Sequence, residues 1–237
     1  MSRTTRGIRA YWDAAARRNA MFYVDTSLDF DRPDPERFAE TGRRIAAIAL
    51  DQSPVEPPGR TLAVEIGSGL GRICAALAES FDSVIGTDIS AEMVARAGEL
   101  VTAPNVEFRH TDGLSLPGIA DGSVDFVVTF TVFQHAPSVS VIRANLTEIA
   151  RVLRPGGLLA MQWNATPGPL RWRLHRWRMR LAERLGRADR HGRDAPQFLG
   201  SRVPLARMDR MLAGNGLRRV GILEPDTLFT WAWAVRD

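Results

Sequence analysis

Apolar positions in this chain alternate between two rhythms. Short runs at residues 61–64, 83–89, 106–111, 124–130 and 158–163 are dense in Val, Ile, Leu and Phe and are bounded by Gly, Asp, Asn and Pro, which reads as strands. Between them the spacing lengthens to three and four residues. A helix is predicted from Ser90, an N-cap candidate, and another one ends in Arg151-Val-Leu-Arg-Pro155-Gly156-Gly157, where proline and paired glycines stop a helix and turn the chain. Upstream, residues 8–19 read as a helix, and residues 35–50 carry Phe38, Ile45, Ile48 and Ala49 on one face. Pro54, Pro57, Pro58 and Gly59 form a linker into the first strand. Downstream, Leu170, Leu174, Trp177, Leu181 and Leu185 recur at helical spacing. A final helix is predicted over 203–215, with strands at 217–223 and 227–235. Strands alternating with helices, each ending in a polar or glycine-rich turn, predict a parallel sheet with a binding site at its carboxyl edge.

The turn after the first strand is the most informative segment. It reads Glu65-Ile-Gly67-Ser68-Gly69-Leu-Gly71. Glycines at such a strand-to-helix turn let the backbone approach a ligand closely. A dinucleotide-binding turn places its third glycine at position 72, as G-x-G-x-x-G, but Arg72 stands there and the glycine falls one residue earlier. The second strand ends in Asp88, 17 positions after Gly71, close to where a nucleotide-binding fold puts its ribose-binding carboxylate. The third ends in Asp112-Gly113.

The E-x-G-x-G-x-G turn in this context resembles motif I of the class I S-adenosylmethionine (SAM) methyltransferases, of the small-molecule, methyltransferase 11/25-like kind. The resemblance covers residues 60–165 most strongly. It implies an α/β fold with a Rossmann-like, doubly wound sheet in the order 3-2-1-4-5-7-6, mostly parallel with an antiparallel last strand. Helices cover both faces, and an N-terminal helical lid precedes the sheet. Carried over residue by residue, Gly67, Ser68, Gly69 and Gly71 line the methionine part of SAM, with Glu65 near its amino group. Asp88 holds the ribose, Ile89 and Met93 pack on the adenine, and Asp112 meets the adenine amino group beside Gly113 and Leu114. Phe130 closes the pocket. The expected organisation is a cap at 1–58 and a SAM-binding domain at 59–237, with an acceptor-side helical insertion at about 165–202.

Composition narrows the chemistry. One cysteine, Cys74, excludes an internal disulfide and suits a reducing cytoplasm. Four scattered histidines make no metal-ligand spacing, so no metal is expected. No apolar run is long enough for a membrane span or a signal peptide core. All 31 basic residues are arginine, against 27 acids, for a net charge of +4. Their distribution is uneven: residues 166–220 hold 14 Arg and four acids, a local charge of +10. The arginines of the 170–185 helix point to an anionic acceptor or to a solvated surface.

Methyl transfer from SAM, giving S-adenosylhomocysteine, needs a nucleophile about 3 Å from the methyl group and in line with it. Where the acceptor is a hydroxyl, a base helps, and His135, after the fourth strand, is the candidate. Tyr11, Trp12, Gln134, Trp163, Arg171 and His175 are the candidate acceptor contacts. The leading expectation is transfer to an oxygen or nitrogen of a small metabolite, and a homodimer is compatible with it. An RNA methyltransferase is the runner-up, although residues 130–133 lack the Asn/Asp-Pro-Pro-aromatic signature of amino-methylases and no RNA-binding module is appended. A non-catalytic SAM-fold binding protein is the third reading.

Overall fold

A computed structural model describes residues 3–167 and 200–237, together with Leu174, Trp177, Arg178, Leu181 and Leu185; side-chain burial is described from Arg6 onward. Two helices lead the chain. Helix α1 (Arg3–Val24) is kinked at Asn19, and α2 (Pro35–Asp51) starts under an Asp34 N-cap that accepts from the Glu36 and Arg37 amides. Then β1 (Leu62–Ile66), α3 (Arg72–Leu77), β2 (Ser83–Asp88), α4 (Ala91–Leu100), β3 (Val106–His110) and β4 (Val124–Thr129) follow. The remainder is α5 (Val132–His135), α6 (Val139–Val152), β5 (Leu153–Trp163), α7 (Leu205–Ala213), β6 (Leu217–Leu223) and β7 (Thr230–Arg236).

Among the described residues the strands form one seven-stranded sheet in the order β3-β2-β1-β4-β5-β7-β6. The first five pair in parallel, and β7 runs antiparallel between β5 and β6. The expected order and the antiparallel closure are thus present. One boundary differs. Helix α6 stops at Val152 and β5 begins at once, so Pro155-Gly156-Gly157 lies inside the strand segment. Leu153 pairs with Val124, and a register shift follows, with the extra residues on β5, before Phe126 meets Leu158. Pro155 follows that first pair, where the irregular ladder tolerates a residue that cannot donate.

Side chains alternate across the sheet and build two cores. Val64, Val127, Leu159 and Met161 face Ile142, Leu146 and Ile149 of α6 and Met208 and Leu212 of α7. Ala63, Phe126, Val128 and Leu158 face Ile45, Ala46 and Ala49 of α2 and Ile73 and Leu77 of α3. Each fully buried Leu, Ile or Phe contributes roughly 1.5–3 kcal/mol. Buried polar groups set the register: Asp125 Oδ2 on β4 accepts from the Thr61 and Leu62 amides, at 2.9 and 3.0 Å, and so ties β1 to its neighbour. With both faces covered, the carboxyl ends of β1, β2 and β4 are left to form a site.

Candidate active site

The chain leaves β1 through Gly67, Gly69 and Gly71, all at positive φ. The Gly67 and Ser68 amides both donate to Thr87 O, at 2.7 and 3.0 Å, which fastens the turn to β2. A Cβ at Gly67 (φ +72) would overlap a Val132 methyl. At Gly69 (φ +53) it would stand 2.7 Å from Val24 Cγ2. The turn is therefore compressed between α5 and the end of α1, and only glycine fits. Asp88, at the end of β2, braces it from behind: Oδ2 accepts from Gly69 N at 2.9 Å and Oδ1 from Ser90 N at 2.8 Å. Burial pushes the Asp88 carboxyl up, against the Ser90 and Gly69 amides that hold it down.

Glu65 is 2% exposed. The Cys74 amide and thiol both donate to its Oε2, at 3.0 and 2.9 Å. Burial raises its carboxyl to about 8, more than the Cys74 hydrogen bonds and the Arg72 charge can offset. Arg72 points the other way, where its guanidinium contacts Asp25 at 2.5 Å and Thr41 Oγ1 at 2.5 Å. Asp25 belongs to the N-terminal segment, which is fastened a second time where Asp13 Oδ1 accepts from Ser90 Oγ at 2.7 Å. Burial alone would raise Asp25; hydrogen bonds from Ser27 and Thr41 and the Arg72 charge outweigh it and hold the carboxyl down.

Together these elements line a cavity that is open at its mouth. The floor is the glycine turn with Glu65 and Asp88. Ile89, Met93 and Gly113 form one wall, Phe130 to Phe133 with His135 to Pro137 the other, and Ile8, Trp12, Tyr23 and Val24 the roof. Trp12 meets the His135 ring edge-on, with centroids 5.5 Å apart.

The chain matches known proteins along this same frame. A family model described as a methyltransferase domain, Methyltransf_11, matches residues 64–161. An uncharacterized methyltransferase of Mycobacterium tuberculosis H37Rv is 29% identical over 235 residues, covering 93% of this chain and 87% of that one. One of Mycobacterium ulcerans is 30% identical over 145 residues, covering 59% and 55%. Among solved structures, the fold is shared with the N-methyltransferase NodS of Bradyrhizobium japonicum, solved with S-adenosylhomocysteine. That likeness has a TM-score of 0.62 at 14% identity and covers 97% of this chain and 98% of that one. It is also shared with a methyltransferase in complex with the Haloferax volcanii Trm112 activator, with a TM-score of 0.66 at 20% identity, covering 95% and 97%. Residues 64–161 thus match a methyltransferase domain, set in a fold shared with a methyltransferase solved with S-adenosylhomocysteine.

The cavity suits the chemistry of SAM. Two acids line it, Glu65 buried and Asp88 half-buried, and Glu65 Oε2 accepts from the amide and thiol of Cys74, so a cationic ligand with hydroxyls finds matching groups. Ser68 Oγ, buried at the turn and lining the cavity, has no hydrogen-bond partner among the described residues. Of the residues expected at the cofactor, Glu65, Gly67, Ser68, Gly69, Asp88, Ile89, Met93, Gly113 and Phe130 line the cavity. Gly71 caps α3 just behind it. Asp112 and Leu114 do not line it. The exposed Asp112 carboxylate accepts from the Leu114 and Ser115 amides, both at 2.9 Å, and shapes the turn that presents Gly113.

The acceptor-side expectations divide in the same way. Trp12 and His135 line the cavity and touch each other. Tyr11 stands one position behind, its ring edge-on to Trp12. Gln134 is outside the lining and bridges Gln162 to His135. Trp163 is fully buried in the core, where Nε1 donates to Val203 O at 2.8 Å. Arg171 and His175 lie outside the described residues. Sequence reasoning missed Asn145 of α6, which lines the cavity and donates to Gly113 O at 2.9 Å. An asparagine on the buried face of an amphipathic helix was the available signal. Among the described residues there is no group of three or more potential metal ligands, and no helix is long and apolar enough to cross a membrane.

Proposed function

We propose that this methyltransferase transfers the SAM methyl group to an oxygen or nitrogen of a small, enclosed acceptor. The observation that carries the reading is the roof. Ile8, Trp12, Tyr23 and Val24 cover the carboxyl edge, where a polymer substrate would need an open groove. Residues 1–58 then act as a cap over the SAM-binding domain at 59–237, and the single buried thiol suits a reducing cytoplasm.

SAM supplies an activated methyl group on a sulfonium. This chain's residues hold and orient it. Gly67, Ser68 and Gly69 line its methionine part, with Gly71 closing the turn behind them, and Glu65 balances its ammonium. Asp88 takes the ribose hydroxyls, and Ile89, Met93, Gly113 and Phe130 enclose the adenine. Trp12 and His135 exclude water beside the acceptor and align it. Protein and product part once the cap opens.

Three results test this. Radiolabelled SAM incubated with the enzyme should label a fraction of small metabolites and leave RNA unlabelled; labelled RNA with unlabelled metabolites reverses the acceptor class. Asp88→Ala should weaken SAM binding by roughly 1.5–3 kcal/mol in calorimetry, the scale of losing charge-assisted hydrogen bonds. Unchanged affinity there would remove Asp88 from the cofactor site. Hydrogen exchange should slow across residues 8–25 on adding SAM, because closing the roof protects its amides. Protection confined to residues 67–71 would leave residues 1–58 without a capping role.

A further inference from the structure

The turn that follows β4 holds a strained residue. Thr131 adopts φ +62 and ψ −5, the left-handed region, and caps α5, which carries His135 into the site and Gln134 beside it. A β-branched residue does not rest there unless its surroundings impose it. The imposing group is Gln162, a fully buried polar side chain in the apolar strand β5.

Its amide orientation is fixed by backbone groups at both ends. Thr131 N donates to Gln162 Oε1 at 2.9 Å, and a backbone N–H has no other option. Gln162 Nε2 donates to Leu228 O at 2.9 Å, and a carbonyl can only accept. The same Nε2 reaches Gln134 Oε1 at 3.3 Å, which settles the second amide in turn. Gln134 therefore presents Nε2 to His135 Nε2, 3.3 Å away. A donor in that place requires the lone pair on His135 Nε2, so the neutral ring carries its hydrogen on Nδ1.

We propose that Gln162 is a positioning residue that acts through Gln134 to lock His135 in the Nδ1–H tautomer. Three consequences follow. Nε2 is engaged by Gln134 and does not take a proton from the acceptor. Whatever faces Nδ1 meets a hydrogen-bond donor. The ring serves the transfer by orienting its acceptor, which rests on the function proposed above, while the tautomer itself does not.

Long-range proton–nitrogen NMR of full-length protein with labelled histidine rings tests the lock directly, with His135→Asn to assign the resonances. At a pH where the ring is neutral, His135 in the wild type should show a protonated Nδ1 and a bare Nε2. Gln134→Met and Gln162→Met should each return it to the Nε2–H form that prevails in free histidine. Titration with SAM reports whether each variant is folded. If Gln162→Met fails to fold, the wild-type spectrum and Gln134→Met, at a half-buried position, still decide. An Nε2–H pattern in the wild type, or an Nδ1–H pattern that survives both substitutions, overturns the proposal. The measurement uses no acceptor, so its failure and a failure to find methyl transfer are separate results.

Discussion

Glu65→Gln is expected to stabilise the ligand-free protein, by on the order of 3 kcal/mol at pH 7, while weakening its hold on SAM. The carboxyl is raised to about 8 in the folded state, chiefly by burial, from an ordinary value of 4.5. Between those values the native state binds a proton that the unfolded state has lost. Stability from this group is therefore complete below about 4.5 and declines as the pH rises through about 8. Glutamine keeps an oxygen to accept from Cys74 N and never ionises, so the variant should lose that slope. Urea denaturation at intervals from pH 5 to 9 reads both curves, and parallel curves would refute the buried-acid account. The cofactor side carries the opposite sign. An ammonium group beside Glu65 favours the carboxylate, so SAM binding near pH 7 should release a proton. Calorimetry in buffers of unlike ionisation enthalpy counts it.

Asp25→Ala should cost about 3–5 kcal/mol, the range for stranding one member of a buried ion pair. The Asp25 and Arg72 side chains are only 11% and 6% exposed. Without Asp25 the guanidinium keeps Thr41 Oγ1, the Val24 carbonyl and its position over the Phe38 ring, but no anion. Asp25→Asn, which keeps an acceptor without the charge, should cost less than alanine. The double variant Asp25→Ala/Arg72→Met should recover much of the loss, because the charge left behind is the larger part of it. Denaturation midpoints of the variants decide the matter. A loss under about 1 kcal/mol for the alanine would mean that this pair does not hold the N-terminal segment to α3.

Most of the fold was legible because it is written in local rules. The glycine turn, Asp88 and the Ser90 cap follow from backbone conformation and need no distant partner. The acceptor half was less legible because it depends on pairing across strands. Trp163 reads as an aromatic at the carboxyl edge, yet strand alternation turns it into the α6–α7 core, and its neighbour Gln162 faces the other way, toward Thr131. Nothing in a run of apolar residues says which side of the sheet an interior glutamine takes. Asp112 was ambiguous for a related reason. An acid at a strand end reads equally as a ligand contact and as a turn cap, and here its Oδ1 caps. The helix stop before β5 moved because pairing of Leu153 with Val124 outweighs the punctuation of Pro155.

The position of Cys74 gives the protein a built-in reporter. It is the sole thiol, fully buried under the glycine turn, and burial beside Glu65 pushes its ionisation well up, so in the closed molecule it is inert to alkylating reagents. Labelling can proceed only through excursions that lift α3 from β1 or part the turn. Its rate is then a clock for those excursions, read from an unmodified chain with no second cysteine to confuse the signal.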